Sequence, residues 1–273
     1  MRKTKTWTEE ESTYLKEHYL DSISSLVKNL GRSWSSIHHK TWRLGFIRQG
    51  RVPHPCQGKK SPRRHIFNYN IMFPSLAYLL GVYLGDGNVC KVKTGAFFQQ
   101  SSIDEDFILK TQKTAQNILG FLPNYHFYSK RGLYLLRICS TEFANWLIQI
   151  TDKKQKIPDD VLNAKRNVLK EFINGLLDSE GSISASPDKR YKEKKYGMYF
   201  AITSSWIELF QELLKKIGVK TSKIRTTSGI PRFTINILSF YQAGLKFSIR
   251  RKQCLVENYI SVYHPDAAKG AAR

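Results

Sequence analysis

Two stretches of this chain repeat one another, and that duplication restricts its fold more than any other feature. One runs Leu79-Leu80-Gly81-Val82-Tyr83-Leu84-Gly85-Asp86-Gly87, the other Ile173-Asn174-Gly175-Leu176-Leu177-Asp178-Ser179-Glu180-Gly181. Each is an apolar helical segment with small residues four apart (Gly81 and Gly85, Gly175 and Ser179), and each ends in an acid followed by glycine. Matching elements follow both. Phe98-Gln99-Gln100-Ser101-Ser102 parallels Phe200-Ala201-Ile202-Thr203-Ser204, in each case a strand feeding a helix. Those helices are expected over residues 105–119 and 207–217, closing at Gly120 and Gly218. Short alternating strands are expected next, at residues 133–138 and 232–237. The duplicated part therefore reads as two copies of helix, β-hairpin, helix, β-strands, helix: a pseudo-dimer within one chain.

Small residues four apart lie on one helix face and let two backbones approach closely. Two such helices packed along a pseudo-twofold axis bring Asp86 and Glu180 side by side at their ends. Carboxylates that close repel, so at least one pKa rises unless a cation sits between them. Mg²⁺ (or Mn²⁺) is the natural occupant, since a hard cation takes one or two carboxylates together with water and phosphate. Paired metals roughly 3.5–4 Å apart support in-line attack on phosphodiesters. The plainer alternative makes Gly87 and Gly181 simple helix stops and leaves the acids solvated. The helix dipole argues against it, because an acid at a helix C-terminus is disfavoured and here that occurs twice.

Charge points to the same class of partner. Lys and Arg number 44 against 22 Asp and Glu, a net charge of +22. Residues 1–70 hold 14 basic and 5 acidic side chains, leaving 30 and 17 for the remainder, so both parts are expected to meet a polyanion. Nucleic acid leads over a membrane. The longest strongly apolar stretch, residues 76–84, is too short to span a bilayer, and no signal-peptide core follows Met1-Arg2-Lys3-Thr4-Lys5. Cys56, Cys90, Cys139 and Cys254 are far apart with no CxxC pair, which indicates neither a zinc ribbon nor a disulfide framework. An intracellular setting is expected.

Residues 1–50 read as three short helices, with Thr8 and Ser33 as caps and Gly31 between the second and third. That is a helix-turn-helix pattern, with Ser35, Ser36, His39, Lys40 and Arg43 expected on the outward, DNA-facing side of the third helix. Residues 51–70, with Pro53, Pro55, Pro62 and many cations, have the chemistry of a basic linker. The two repeats are expected over residues 71–157 and 158–266.

The paired segments resemble the signature motifs of monomeric LAGLIDADG homing endonucleases. The N-terminal segment resembles Myb/SANT-like modules through Trp7-Thr8-Glu9-Glu10 and Leu30-Gly31-Arg32-Ser33-Trp34. The resemblance implies an α+β pseudo-twofold fold: two antiparallel β saddles over DNA, paired motif helices at the interface, and a small all-α helix-turn-helix domain in front. It implies a monomer that cuts both strands of a long, pseudosymmetric double-stranded DNA site and leaves short 3′ overhangs.

Residue by residue, it assigns Asp86 and Glu180 to the metal, and Gly81, Gly85, Gly175 and Ser179 to helix packing. Gln99 takes the polar catalytic position. The catalytic basic residue is sought at Lys154 or Lys156 after repeat one and at Arg251, flanked by Arg250 and Lys252, after repeat two. Lys91, Lys93, Arg137, Lys189, Arg190, Lys192, Arg225 and Arg232 are the expected DNA contacts on hairpins and strands. This chain departs from the pattern at Leu84, where the family often has Asp and repeat two keeps Asp178. Asp86 also faces a longer Glu180, and Gln99 has Ala201 as its counterpart, so unequal half-sites are expected. Relatives that only bind DNA as regulators, or that assist intron RNA folding as maturases, share the charge and the repeats. Retention of both acids favours the nuclease. A second nuclease signature, Pro187-Asp188 with Glu193-Lys194-Lys195, has its acids only in a charged loop and carries little weight.

Overall fold

The computed structural model describes residues 6–18, 23–33, 36–37, 40–41, 44, 71–93, 95–187 and 194–270. The chain forms two compact units, Met1–Arg64 and His65–Arg273.

The first unit contains α1 (Glu9–His18) and α2 (Ile23–Leu30). Helix α1 opens on a reciprocal cap: the Glu11 amide donates to Thr8 Oγ1 (3.2 Å) and the Thr8 amide to Glu11 Oε2 (2.9 Å). Residues 36, 37, 40 and 41 are helical, and the Ser36 amide donates to Ser33 Oγ (3.3 Å). Leu15, Leu26 and Ile37 form the core, with Trp7, Tyr14, Val27, Leu30 and Leu44 packed on it. Arg32 is buried, forks onto Glu11 (Nη2 to Oε2 2.7 Å, Nε to Oε1 3.1 Å) and lies 4.7 Å from the Trp7 ring centroid. Trp34, Ser35, His39 and Arg43 lie outside the described residues, as do residues 45–70 of the expected linker.

The second unit is built from the expected duplication. Its first copy comprises α3 (Pro74–Leu84), β1 (Asn88–Val92), β2 (Gly95–Ser102), α4 (Glu105–Leu119), β3 (Asn124–Tyr128), β4 (Leu133–Ile138) and α5 (Thr141–Ile150). A short α6 (Asp159–Leu162) leads to the second copy: α7 (Arg166–Glu180), β5 (Gly181–Pro187), β6 (Lys194–Ala201), α8 (Ile207–Lys216), β7 (Arg225–Thr227), β8 (Ile230–Thr234) and α9 (Ile237–Gln242). Helices α10 (Arg250–Tyr263) and α11 (Pro265–Gly270) follow. Each copy has one antiparallel sheet of four strands, in the order β1-β2-β4-β3 and β5-β6-β8-β7. Matching strand orders are what a duplicated unit requires.

Helices α3 and α7 form the centre. Every residue of α3 from Leu76 to Leu84 is buried, as a helix apolar all round must be. It packs along α7 at the glycines. A Cβ added to Gly81 would fall inside contact distance of the Phe172 carbonyl oxygen and 2.8 Å from the Leu176 nitrogen. One added to Gly175 would collide with the Tyr78 carbonyl oxygen, and one on Gly85 with the Ser179 Cβ. Two backbones can lie this close only where side chains are missing. Core residues from both copies, among them Phe98, Phe107, Phe143, Phe172, Phe200, Phe210 and Phe233, join into one cluster around this pair.

The strand expected over 232–237 differs at both ends, beginning at Ile230. The last strand of the second copy ends at Thr234, and Ile237 begins α9 instead of closing the strand. The cause is local. Asn236 Oδ1 accepts the Ser239 amide (2.8 Å), an N-cap that turns the alternating run into a helix. Lys189, Arg190 and Lys192 of the second hairpin lie outside the described residues.

Candidate active site

The close packing of α3 on α7 carries the acids of both copies to the same end of the pair. Asp86 follows the Gly85 that caps α3, and Glu180 is the last residue of α7. Asp86 stays open to solvent and Glu180 is half-buried. Enough protein surrounds them to penalise charge. Burial, then repulsion from Asp86, pushes Glu180 up to about 7 despite Lys154 and Lys252 nearby. Burial raises Asp86 as well, and the same two lysines pull it down. Glu180 therefore senses the charge of Asp86.

A lysine stands at each half. The Lys154 ammonium donates to the Gly85 carbonyl and sits 5.2 Å from the Tyr83 ring centroid. Its backbone belongs to a left-handed turn, with Asp152, Lys153 and Lys154 all at positive φ, a conformation costly for non-glycine residues. Contacts within and beyond the turn hold it: the Lys154 amide donates to Thr151 Oγ1 (3.1 Å), and Trp206 Nε1 donates to the Lys154 carbonyl (3.0 Å). Lys252, on the first turn of α10, is buried and donates to the Asp178 carbonyl (2.9 Å) and the Gly181 carbonyl (2.7 Å). Burial lowers both ammonium pKa values, against the carboxylates' pull.

Other expected residues sit elsewhere. Arg251 points to Asp104, with Nε to Oδ1 at 2.6 Å and Nη2 to Oδ2 at 2.8 Å, so its fork is occupied and its neighbour Lys252 holds the place beside Glu180. Lys156 is exposed, while Lys154 reaches the helix end. Gln99 lies on β2 and accepts from Arg137 Nε (3.2 Å). Its counterpart is Tyr199 and not Ala201: Gln99 pairs with Asn88, the second residue after Asp86, and Tyr199 pairs with Ser182, the second after Glu180. The stretch from Tyr199 to the start of α8 is two residues longer than that from Gln99 to the start of α4, which offsets the alignment of the two repeats along the sequence. By the same register Gln100 takes the core position of Phe200, and its buried amide has no hydrogen-bond partner among the described residues.

Lys91 and Arg137 are exposed on β1 and β4, and Lys93 is exposed just beyond β1. Arg225 and Arg232 face each other across β7 and β8, both exposed. In the first unit Ser36 and Lys40 are half-buried, and the Lys40 ammonium lies 5.6 Å from the Trp7 ring centroid, so it turns toward the unit's own aromatic instead of standing outward. A cleft of about 230 Å³ opens beside Asp86, lined also by Ser101, Ser102, Asp104, Arg251 and Lys252. The serines and Asp104 carried no distinguishing signal in the sequence.

The donor set fits a divalent cation of one kind. Among the described residues no cluster of three or more His, Cys, Asp or Glu could hold a metal alone. Two carboxylates that burial makes costly to ionise, with Asp86 further raising Glu180, suit a hard cation at this open cleft that takes its remaining ligands from water and phosphate.

Against known proteins, the chain is 26% identical over 208 residues to the homing endonuclease I-ApeI of Aeropyrum pernix, covering 71% of this chain and 84% of that one. The chain is similar to a homing endonuclease. It also matches two uncharacterized proteins of Methanocaldococcus jannaschii, at 27% over 151 residues and 23% over 156, and spans about half the length of each. No family model matches. Among solved structures, mesophilic variants of I-DmoI align at TM-score 0.46 and 18% identity, over 62% of this chain and 92% of that one. The LAGLIDADG meganuclease I-AabMI, solved bound to uncleaved DNA, aligns at 0.45 and 12%, over 72% and 92%. Scores of that size carry no functional weight. No described helix is long and apolar enough to cross a membrane.

Proposed function

We propose that this chain is a LAGLIDADG-type homing endonuclease: a metal-dependent enzyme that makes a double-strand break at a long, pseudosymmetric DNA site and leaves short 3′ overhangs. The observation that carries the reading is the pair Asp86 and Glu180, brought to one end of two glycine-packed helices with a partly or fully buried lysine beside each. Similarity to I-ApeI over most of both chains supports it.

In this reading Asp86 and Glu180 hold Mg²⁺ or Mn²⁺. The bound cation supplies Lewis-acid polarisation of the phosphodiester. Lys252 uses two of its three N–H groups on backbone carbonyls and has one left to offer the phosphate as charge builds on it. Lys154 does the same from the other half, with one N–H committed. Gln99 and Arg137, linked on the sheet's outward face, meet DNA there, with Lys91, Lys93, Arg225 and Arg232 along the strands. The first unit acts as a helix-turn-helix on flanking DNA through residues 1–50, a basic linker follows over 51–70, and the repeats occupy 71–157 and 158–266. The enzyme works as a monomer inside the cell.

The test is incubation with a randomised duplex library and Mg²⁺. The expected result is Mg²⁺-dependent double-strand cuts enriched at one long site; selective binding without cutting would favour a regulator.

The carboxylates also predict how metal and pH combine. Glu180 sits above its unfolded value, so the folded protein keeps a proton that the unfolded chain releases. Its contribution to stability is fully present below the unfolded pKa of roughly 4.3 and is lost as pH rises through about 7. A cation that binds the charged pair offsets that loss. Mg²⁺ is therefore expected to raise the melting temperature clearly near pH 8 and hardly at all near pH 5, and Glu180→Gln should abolish the difference. Thermal unfolding with and without Mg²⁺ at both pH values checks this; an equal shift at both would contradict it.

A further inference from the structure

Repeat two carries a buried polar clamp that repeat one lacks. Asp178 is 1% exposed and accepts three hydrogen bonds. The Ser248 amide donates to its Oδ1 (2.8 Å), the Ser248 hydroxyl to its Oδ2 (2.7 Å), and the Tyr78 hydroxyl, from α3, to Oδ2 (2.8 Å). Ser248 lies in the short loop that feeds α10, four residues before Lys252. The loop is pinned a second time, where the Phe247 amide donates to Gln253 Oε1 (3.0 Å). The start of α10 is thus fixed against α7 by a side chain of α7 itself. From that start Lys252 reaches back to the carbonyls of Asp178 and Gly181, on either side of Glu180.

The first copy solves the same problem differently. Leu84 stands at the position equivalent to Asp178 and makes no polar contact possible. Lys154 is instead placed by its own left-handed turn, braced by Thr151 and by Trp206. The two lysines reach equivalent places by independent supports.

We propose that Asp178 and Ser248 are positioning residues that set Lys252, so that one half of the active site depends on this clamp and the other does not. The proposal rests on the nuclease reading and deepens it. Lys252 touches the phosphate in that reading; Asp178 and Ser248 act only through it. Loss of the Ser248 hydroxyl lets the head of α10 drift and moves the ammonium without altering either carboxylate. A misplaced charge donor slows the strand it serves.

The experiment is single-turnover nicking of each end-labelled strand at the selected site, with wild type, Ser248→Ala, Ser248→Thr and Tyr78→Phe. Ser248→Ala is expected to slow one strand by about 10-fold, a change of about 1.4 kcal/mol, and the other by less than about 2-fold. Nicked duplex then accumulates, and Ser248→Thr, which keeps the hydroxyl, restores the wild-type ratio. Tyr78→Phe removes a hydrogen bond from the same carboxylate and the longer contact of its hydroxyl with Ser248 Oγ (3.4 Å), but leaves both bonds from Ser248 to Asp178, so it should lower stability while keeping the strand ratio. Equal slowing of both strands by Ser248→Ala, no slowing at all, or the same strand bias in Tyr78→Phe would overturn the clamp. Wild type that cuts neither strand would instead sink the nuclease reading, and the proposal with it.

Discussion

Gly175→Ala is expected to destabilise the protein by about 3 kcal/mol or more in denaturant titration, and Gly81→Ala by a similar amount. A methyl group is rarely so costly, and the reason here is what it meets. At Gly175 the added carbon runs into the Tyr78 carbonyl oxygen, and at Gly81 into that of Phe172. Both obstacles are backbone within helices, so no rotamer change relieves them and the helices themselves must part. Separation loosens every contact along α3, all of whose residues from Leu76 to Leu84 are buried. Gly197→Ala supplies the control. No described residue lies within 4 Å of a Cβ there, and its backbone is not in the left-handed region, so the change should stay within about 0.5 kcal/mol. Equal, small effects at all three positions would mean that α3 and α7 are not in close backbone contact.

This interface was also what the sequence displayed best. Residues four apart share a helix face whatever surrounds them, so Gly81 with Gly85 and Gly175 with Ser179 reported the packing face directly. The helix over 105–119 and the strand over 133–138 were equally plain, because their periodicities are local. What stayed hidden depends on chain returning from far away. Nothing in Arg250-Arg251-Lys252 tells which cation turns inward; the choice follows from Asp104, which takes Arg251, and from the carbonyls at the end of α7, which take Lys252. The pairing of Gln99 with Tyr199 needed the strand register, since two extra residues before α8 displaced the match. Asp178 was visible as an acid, but its partner Ser248 lies 70 residues on, with no local signal.

Asp86→Asn and Glu180→Gln are each expected to lower cleavage by roughly 10³-fold or more while leaving DNA binding within a few-fold of wild type. Each change keeps the shape and removes the charge. In the proposed reading that charge holds the divalent cation; both acids also raise the pKa of Lys154, and Asp86 that of Lys252, against burial. In the same reading most of the affinity for DNA comes from phosphate contacts spread over a chain of net charge +22, so one lost negative charge should weaken it little and can strengthen it. Stability supplies an independent signature: Glu180→Gln also removes a carboxylate whose ionisation is penalised, so without metal near pH 8 it should be as stable as wild type or more so. The most direct measurement is single-turnover cleavage of the selected site by wild type and both variants, with binding of the same duplex followed by gel shift. Cleavage lost in both variants with binding retained is the predicted result. Cleavage that survives either substitution would contradict the assignment of Asp86 and Glu180 as the metal-holding pair.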